Sequence, residues 1–123
     1  MTKLAFIGTG FVADYYMTTL ANYPNLDLVG AWDLDAGRLQ KFCKFYKVEA
    51  RESLHDILSD DASIIVNLTT PESHFSVNQA ALEAGKHVYC EKPLAMSVKE
   101  AERLVSLAEE RGLTICGAPA NAL

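Results

Sequence analysis

The chain has 123 residues, half of them hydrophobic and 22% charged, with a formal net charge of −5. That length suits one domain with one real core, and the balance describes a globular chain rather than a disordered or fibrous one. The acidic charge argues against a partner that presents a phosphate backbone, so no nucleic-acid binding is expected. The opening "MTKLAFIGTG" lacks the charged, apolar and cleavage regions of a signal peptide, and no apolar stretch approaches a membrane span, so no membrane association is expected. Cys43, Cys90 and Cys116 are odd in number and far apart, with no C-x-x-C pair. They suggest neither a disulfide framework nor a metal site, and a reducing cytoplasm is the expected location.

Short apolar runs alternate with helix-period segments along the whole chain, the pattern of βαβ units around a parallel sheet. Strands are predicted at about 3–8, 27–33, 48–50 (weakly), 63–69, 87–91 and 114–117. "LAFIG" and "SIIVN" are apolar on both faces, so helices must cover both sides of the sheet. "NLT" at Asn67 matches a glycosylation sequon, but its place at the end of "SIIVN" reads as a strand end.

The first helix is predicted from Phe11 to Tyr23, with Val12, Tyr16 and Leu20, and Ala13, Met17 and Ala21, forming one apolar stripe before Pro24. Asp35 and Ser53 are expected to cap the second and third helices. Thr70 and Pro71 read as N-cap and first residue of a fourth, which Gly85 closes. Ser97 and Glu100 form a capping box for a fifth. Five helices between six strands, joined by right-handed crossovers, predict an α/β fold: an open doubly wound parallel sheet of Rossmann type, order 3-2-1-4-5-6.

"IGTGFVA" follows the first strand and opens the first helix, which places Gly8, Gly10 and Ala13 in the pattern G-x-G-x-x-G/A, with Thr9, Phe11 and Val12 between them. Gly8 permits the tight turn, Gly10 lets the backbone approach a pyrophosphate, and Ala13 permits close helix-to-strand packing. The free N–H groups of the helix start then face the anion. Asp33, which closes the second strand, stands where a carboxylate accepts hydrogen bonds from an adenosine ribose. An aspartate there repels a 2′-phosphate, so NAD is expected over NADP; Arg38, one helical turn on, is the residue that keeps NADP open. In such a sheet the ligand lies across the carboxyl ends of the strands, and "NLTTPESH", beginning at Asn67, "CEKP" and "GAPANAL" all reach that edge. Pro93 holds Lys92 extended where strand pairing stops.

These residues, and above all "AGKHVYCEKPLA", resemble the N-terminal domain of the glucose-fructose oxidoreductase, inositol dehydrogenase and MocA family of NAD(P)-dependent oxidoreductases, over essentially the whole chain. The resemblance implies hydride transfer between nicotinamide and a hydroxyl-bearing carbon of a sugar, cyclitol or related compound, by a protein that is a homo-oligomer at full length. It implies that Thr69, Thr70 and Pro71 line the nicotinamide half of the cofactor. Glu91 would approach the ribose, and Lys92, next to a Pro93 joined by a cis bond, would contact the reacting hydroxyl. Lys92 is read as an orienting and proton-sharing group rather than the sole base, and His74 as a structural residue. The family places a substrate domain after this one, whereas the chain stops at "GAPANAL", where Pro119 and Asn121 read as a terminal loop. Residues 1–123 are therefore expected to be the dinucleotide-binding domain, binding cofactor without turnover. The alternative is a stand-alone dinucleotide-binding or redox-sensing module, and the third is an α/β scaffold without dinucleotide affinity.

Overall fold

In the computed structural model, which describes residues 1–117, alternating apolar and helix-period segments resolve into five strands and five helices. In chain order these are β1 (Thr2–Ile7), α1 (Phe11–Leu20), β2 (Leu26–Trp32), α2 (Ala36–Tyr46) and α3 (Leu54–Leu58), then β3 (Ile64–Asn67), α4 (Pro71–Glu83), β4 (His87–Cys90), α5 (Val98–Glu110) and β5 (Ile115–Gly117). Every pairing is parallel, in the order β2-β1-β3-β4-β5. Pro119 and Asn121 lie outside the described residues.

The expected six-strand order is corrected to five. The segment predicted at 48–50 meets the sheet only through one bridge, Ala31 to Ala50, held by Ala31 N–H on Glu49 O at 3.0 Å and Arg51 N–H on Ala31 O at 2.8 Å. Pairing stops there because Arg51 turns inward, its guanidinium 2.6 Å from the Asp60 carboxylate and 3.2 Å from Val29 O. Without that segment, the remaining strands keep the predicted arrangement. The first helix is also shorter than predicted: Asn22 N–H and Tyr23 N–H bond back three residues, to Thr19 O and Leu20 O, in a turn that tightens before Pro24.

The two faces of β1 separate two cores, as period-two alternation requires. Leu4 and Phe6 pack with Ala13 of α1 and Leu39 and Phe42 of α2. Ala5 and Ile7 pack with Ile57 of α3, Ala81 and Leu82 of α4 and Leu104 of α5. Local signals set the helix starts: Asp35 accepts from Arg38 N–H at 3.0 Å, Ser53 from Asp56 N–H at 3.1 Å and Ser97 from Glu100 N–H at 3.2 Å. Thr70 occupies the N-cap of α4 with Pro71 after it, but its hydroxyl makes no capping bond and lies 3.4 Å from the Ser73 hydroxyl. Because β1 is flanked by β2 and β3, chain segments leave it in opposite directions at its carboxyl end, and the crevice of the molecule opens there.

Candidate cofactor crevice

Gly8 leaves β1 at φ +104°, and its N–H donates to Trp32 O at 2.8 Å, so the first turn hugs the end of β2. The turn is then locked by Asp33. One oxygen of that carboxylate accepts from Thr9 N–H at 2.7 Å and from the Thr9 hydroxyl at 2.8 Å; the other accepts from Asp35 N–H at 2.8 Å. A carboxylate offers about four acceptor positions, so three bonds leave Asp33 room for one more donor. The Arg38 guanidinium stands 4.0 Å from Asp33 and 3.7 Å from Asp35, on a side chain that is half exposed.

Gly10 is the N-cap of α1 and supplies no side-chain bond, so the Phe11 and Val12 N–H groups that open the helix have no capping partner, while Ala13 N–H donates to Gly10 O at 3.0 Å. A Cβ added at Gly10 would meet nothing nearer than the tip of Arg38 at 3.4 Å. Such a Cβ would occupy open crevice. The crevice measures about 660 Å³ and is lined by Gly8, Gly10, Phe11, Val12, Asp33 and Arg38 on one side and by Thr69 and Thr70 on the other. Bare helix N–H groups, a side-chain-free approach and an acid with acceptor capacity left fit a dinucleotide across this edge.

The remaining predicted residues support the crevice from behind or stand beside it. Thr9 is buried with its hydroxyl on Asp33, and Ala13 is fully buried under the helix. Asn67 is also fully buried: its side-chain oxygen accepts from Thr69 N–H at 3.2 Å and from the Thr69 hydroxyl at 2.7 Å. Pro71 is exposed at the first position of α4. Lys92 and Pro93 are exposed just beyond β4, and the bond between them is cis. Glu91 is half-buried, and its carboxylate accepts from the Tyr16 hydroxyl of α1.

Three further residues, Tyr16, Asn78 and Cys90, make contacts at the site that no local pattern marks. Tyr16 counted only as a member of an apolar stripe; nothing local marks its hydroxyl, whose partner lies far along the chain. Burial first, and then the bond to Glu91, hold the Tyr16 phenol well above its ordinary range. Asn78 lies in the helix-period run of α4 and reaches Leu94 O at 3.1 Å with its amide. Cys90, at the end of β4, is pushed up to about 11, mainly by burial.

Fold and crevice together define a dinucleotide-binding α/β domain of the Rossmann type. The chain belongs to the Gfo/Idh/MocA oxidoreductase family, whose NAD-binding Rossmann-fold model matches residues 2–117. It is 32% identical over 114 residues to inositol 2-dehydrogenase of Salmonella typhimurium, covering 89% of this chain and 34% of the relative. It is 31% identical over 112 residues to glucose-6-phosphate 3-dehydrogenase of Bacillus subtilis, covering 89% and 31%. Biliverdin reductase from Synechocystis, solved with biliverdin and NADP+, superposes with a TM-score of 0.87 at 26% identity, covering 94% of this chain and 37% of that one. The chain thus spans about a third of the length of these relatives. Among the described residues, no helix is long and apolar enough to cross a membrane.

Proposed function

We propose that the chain is the cofactor-binding part of an NAD-dependent dehydrogenase that acts on a hydroxyl-bearing carbon of a polyol or sugar-like compound. The observation that carries this reading is the locked pair of Asp33 and the Thr9 turn beside the bare start of α1, with Lys92 on the same edge of the sheet. In the reading, Gly8, Gly10, Phe11 and Val12 cradle the pyrophosphate, and Asp33 takes a ribose hydroxyl in its remaining acceptor position. Thr69, Thr70 and Pro71 border the nicotinamide. These residues would hold NAD, whose nicotinamide would supply the hydride chemistry. Lys92 holds and shares the proton of the substrate hydroxyl, and Glu91, anchored by Tyr16, stays next to it. The relatives named as inositol and glucose-6-phosphate dehydrogenases support the substrate class. The free state of Cys43, Cys90 and Cys116 fits a reducing cytoplasm.

Trp32 lines the crevice next to Asp33 and reports on its filling. Titration with NAD should change its fluorescence, and Asp33→Ala should weaken NAD about tenfold or more, since it removes both the ribose acceptor and the anchor of Thr9. The 123 residues alone should show negligible polyol oxidation. A Trp32 signal indifferent to NAD, or robust turnover by this chain, would contradict the respective half of the reading.

A further inference from the structure

Behind the crevice lies a polar network that dinucleotide binding does not by itself require. Asn67, His74 and Asn78 are almost completely buried, in a position where three apolar side chains would pack with no desolvation cost. Among the described residues, none of their buried side-chain N or O atoms is left without a partner. The Asn67 amide donates to Asn78 Oδ1 at 2.8 Å and to His74 O at 3.3 Å, while its oxygen holds Thr69. His74 and Asn78 sit one turn apart on the same face of α4. The His74 ring lies between two carbonyl oxygens: Nε2 is 2.8 Å from Thr69 O, and Nδ1 is 2.5 Å from Pro93 O. Each carbonyl thus lies within hydrogen-bond distance of one ring nitrogen. Asn78 completes the link through Leu94 O.

The trio's side-chain bonds outside itself go chiefly to two places, the Thr69 loop after β3 and the segment 93–94 after β4, and Asn78 also meets the Cys90 thiol at the end of β4. One loop borders the cofactor, and the other carries Lys92. We propose that His74, assisted by Asn78, is a positioning residue that makes these two loops one body, so that the nicotinamide end of the cofactor and the Lys92 amine keep a fixed relation. The proposal rests on the cofactor reading given above. A hydrogen-bonded network in a low-dielectric interior fixes geometry in a way that an apolar contact does not. His74 touches neither cofactor nor substrate, and it acts through Thr69 and Pro93.

The test separates the two ends of the ligand. ADP-ribose fills the adenosine and pyrophosphate end alone, and NADH adds the nicotinamide, whose own fluorescence reports its surroundings. In the wild-type chain NADH should bind more tightly than ADP-ribose. In His74→Leu the ADP-ribose affinity should stay within about twofold, whereas the advantage of NADH should fall by about tenfold. Emission from bound NADH should move toward that of the free cofactor, and amide exchange over residues 91–95 should quicken. His74→Gln, which keeps one donor, should recover part of the advantage, and together with Asn78→Leu it decides the matter if His74→Leu does not fold. An unchanged NADH to ADP-ribose ratio in the variants, or parallel loss of both ligands, would overturn the proposal. So would a wild type that holds NADH no better than ADP-ribose. A wild type that binds neither ligand would bring down the cofactor reading itself, an outcome visible before any variant is made.

Discussion

A methyl group added at Gly8 would stand 2.6 Å from both the carbonyl carbon and the oxygen of Leu68, on a residue already at φ +104°. Gly10, two positions on, has extended backbone at φ −82° and nothing nearer than 3.4 Å. The two glycines of one motif therefore answer to different physics, Gly8 to packing against backbone and Gly10 to access. Gly8→Ala should cost at least about 2 kcal/mol, read as a lower urea midpoint. Gly10→Ala should leave that midpoint within about 0.5 kcal/mol of wild type while weakening NAD, because its Cβ projects into the crevice. Equal stability losses in the two variants would refute this division. The motif itself was legible from spacing, and so was the place of Asp33 at the end of β2. What spacing does not show is that Asp33 also builds the loop, through Thr9, since that depends on how two strand ends are placed side by side.

Among the elements, α1 is tied to the end of β4 by the Tyr16 hydroxyl on Glu91, with the Tyr16 ring edge-on to Phe6 and Tyr89. The phenol is held above its ordinary value of 10.0, burial being the larger cause and Glu91 the next. A raised native value means that the native state holds the proton more tightly than the unfolded chain does. The resulting stabilisation is complete below about pH 10 and declines as pH rises past the unfolded value. Cys90, pushed up to about 11, acts in the same sense. Tyr16→Phe keeps the ring packing and should cost about 1 kcal/mol at neutral pH. It should also flatten the loss of stability seen in urea titrations between about pH 9 and pH 11. An alkaline decline as steep as that of wild type would show that Tyr16 is not its source. Helix starts were readable because a cap and its N–H lie three residues apart. The loss of the strand predicted at 48–50 was not, because it depends on Arg51 reaching Asp60 and Val29 O. Nor was the early end of α1, because its last turn keeps the apolar spacing of a helix while its bonds shorten to three residues. Tyr16 and Glu91, 75 positions apart, leave no local trace either.

Across the whole molecule, β1 is the common wall of two cores, and the crevice opens where its carboxyl end meets the loops of both. The order of the strands was legible because alternation and right-handed crossovers leave few choices, even though one predicted strand shrank to a bridge. A ligand that bridges this opening touches segments from both halves, so binding should stabilise the entire fold. At a concentration a hundred times its dissociation constant, a ligand specific to the native state contributes about 2.7 kcal/mol. At roughly 4 °C per kcal/mol for a domain of this size, NAD should raise the melting temperature by about 10 °C. NADP at the same concentration should raise it less. Its 2′-phosphate would approach the Asp33 carboxylate, and Arg38, the cation available to offset that repulsion, already lies within 4.0 Å of Asp33 and 3.7 Å of Asp35. Arg38→Ala should therefore widen the gap between the two cofactors, by lowering the NADP shift further than the NAD shift. If NADP matched or exceeded NAD in the wild type, Asp33 would not be the selecting residue. If Arg38→Ala left the gap unchanged, the guanidinium would belong to its two acidic neighbours alone.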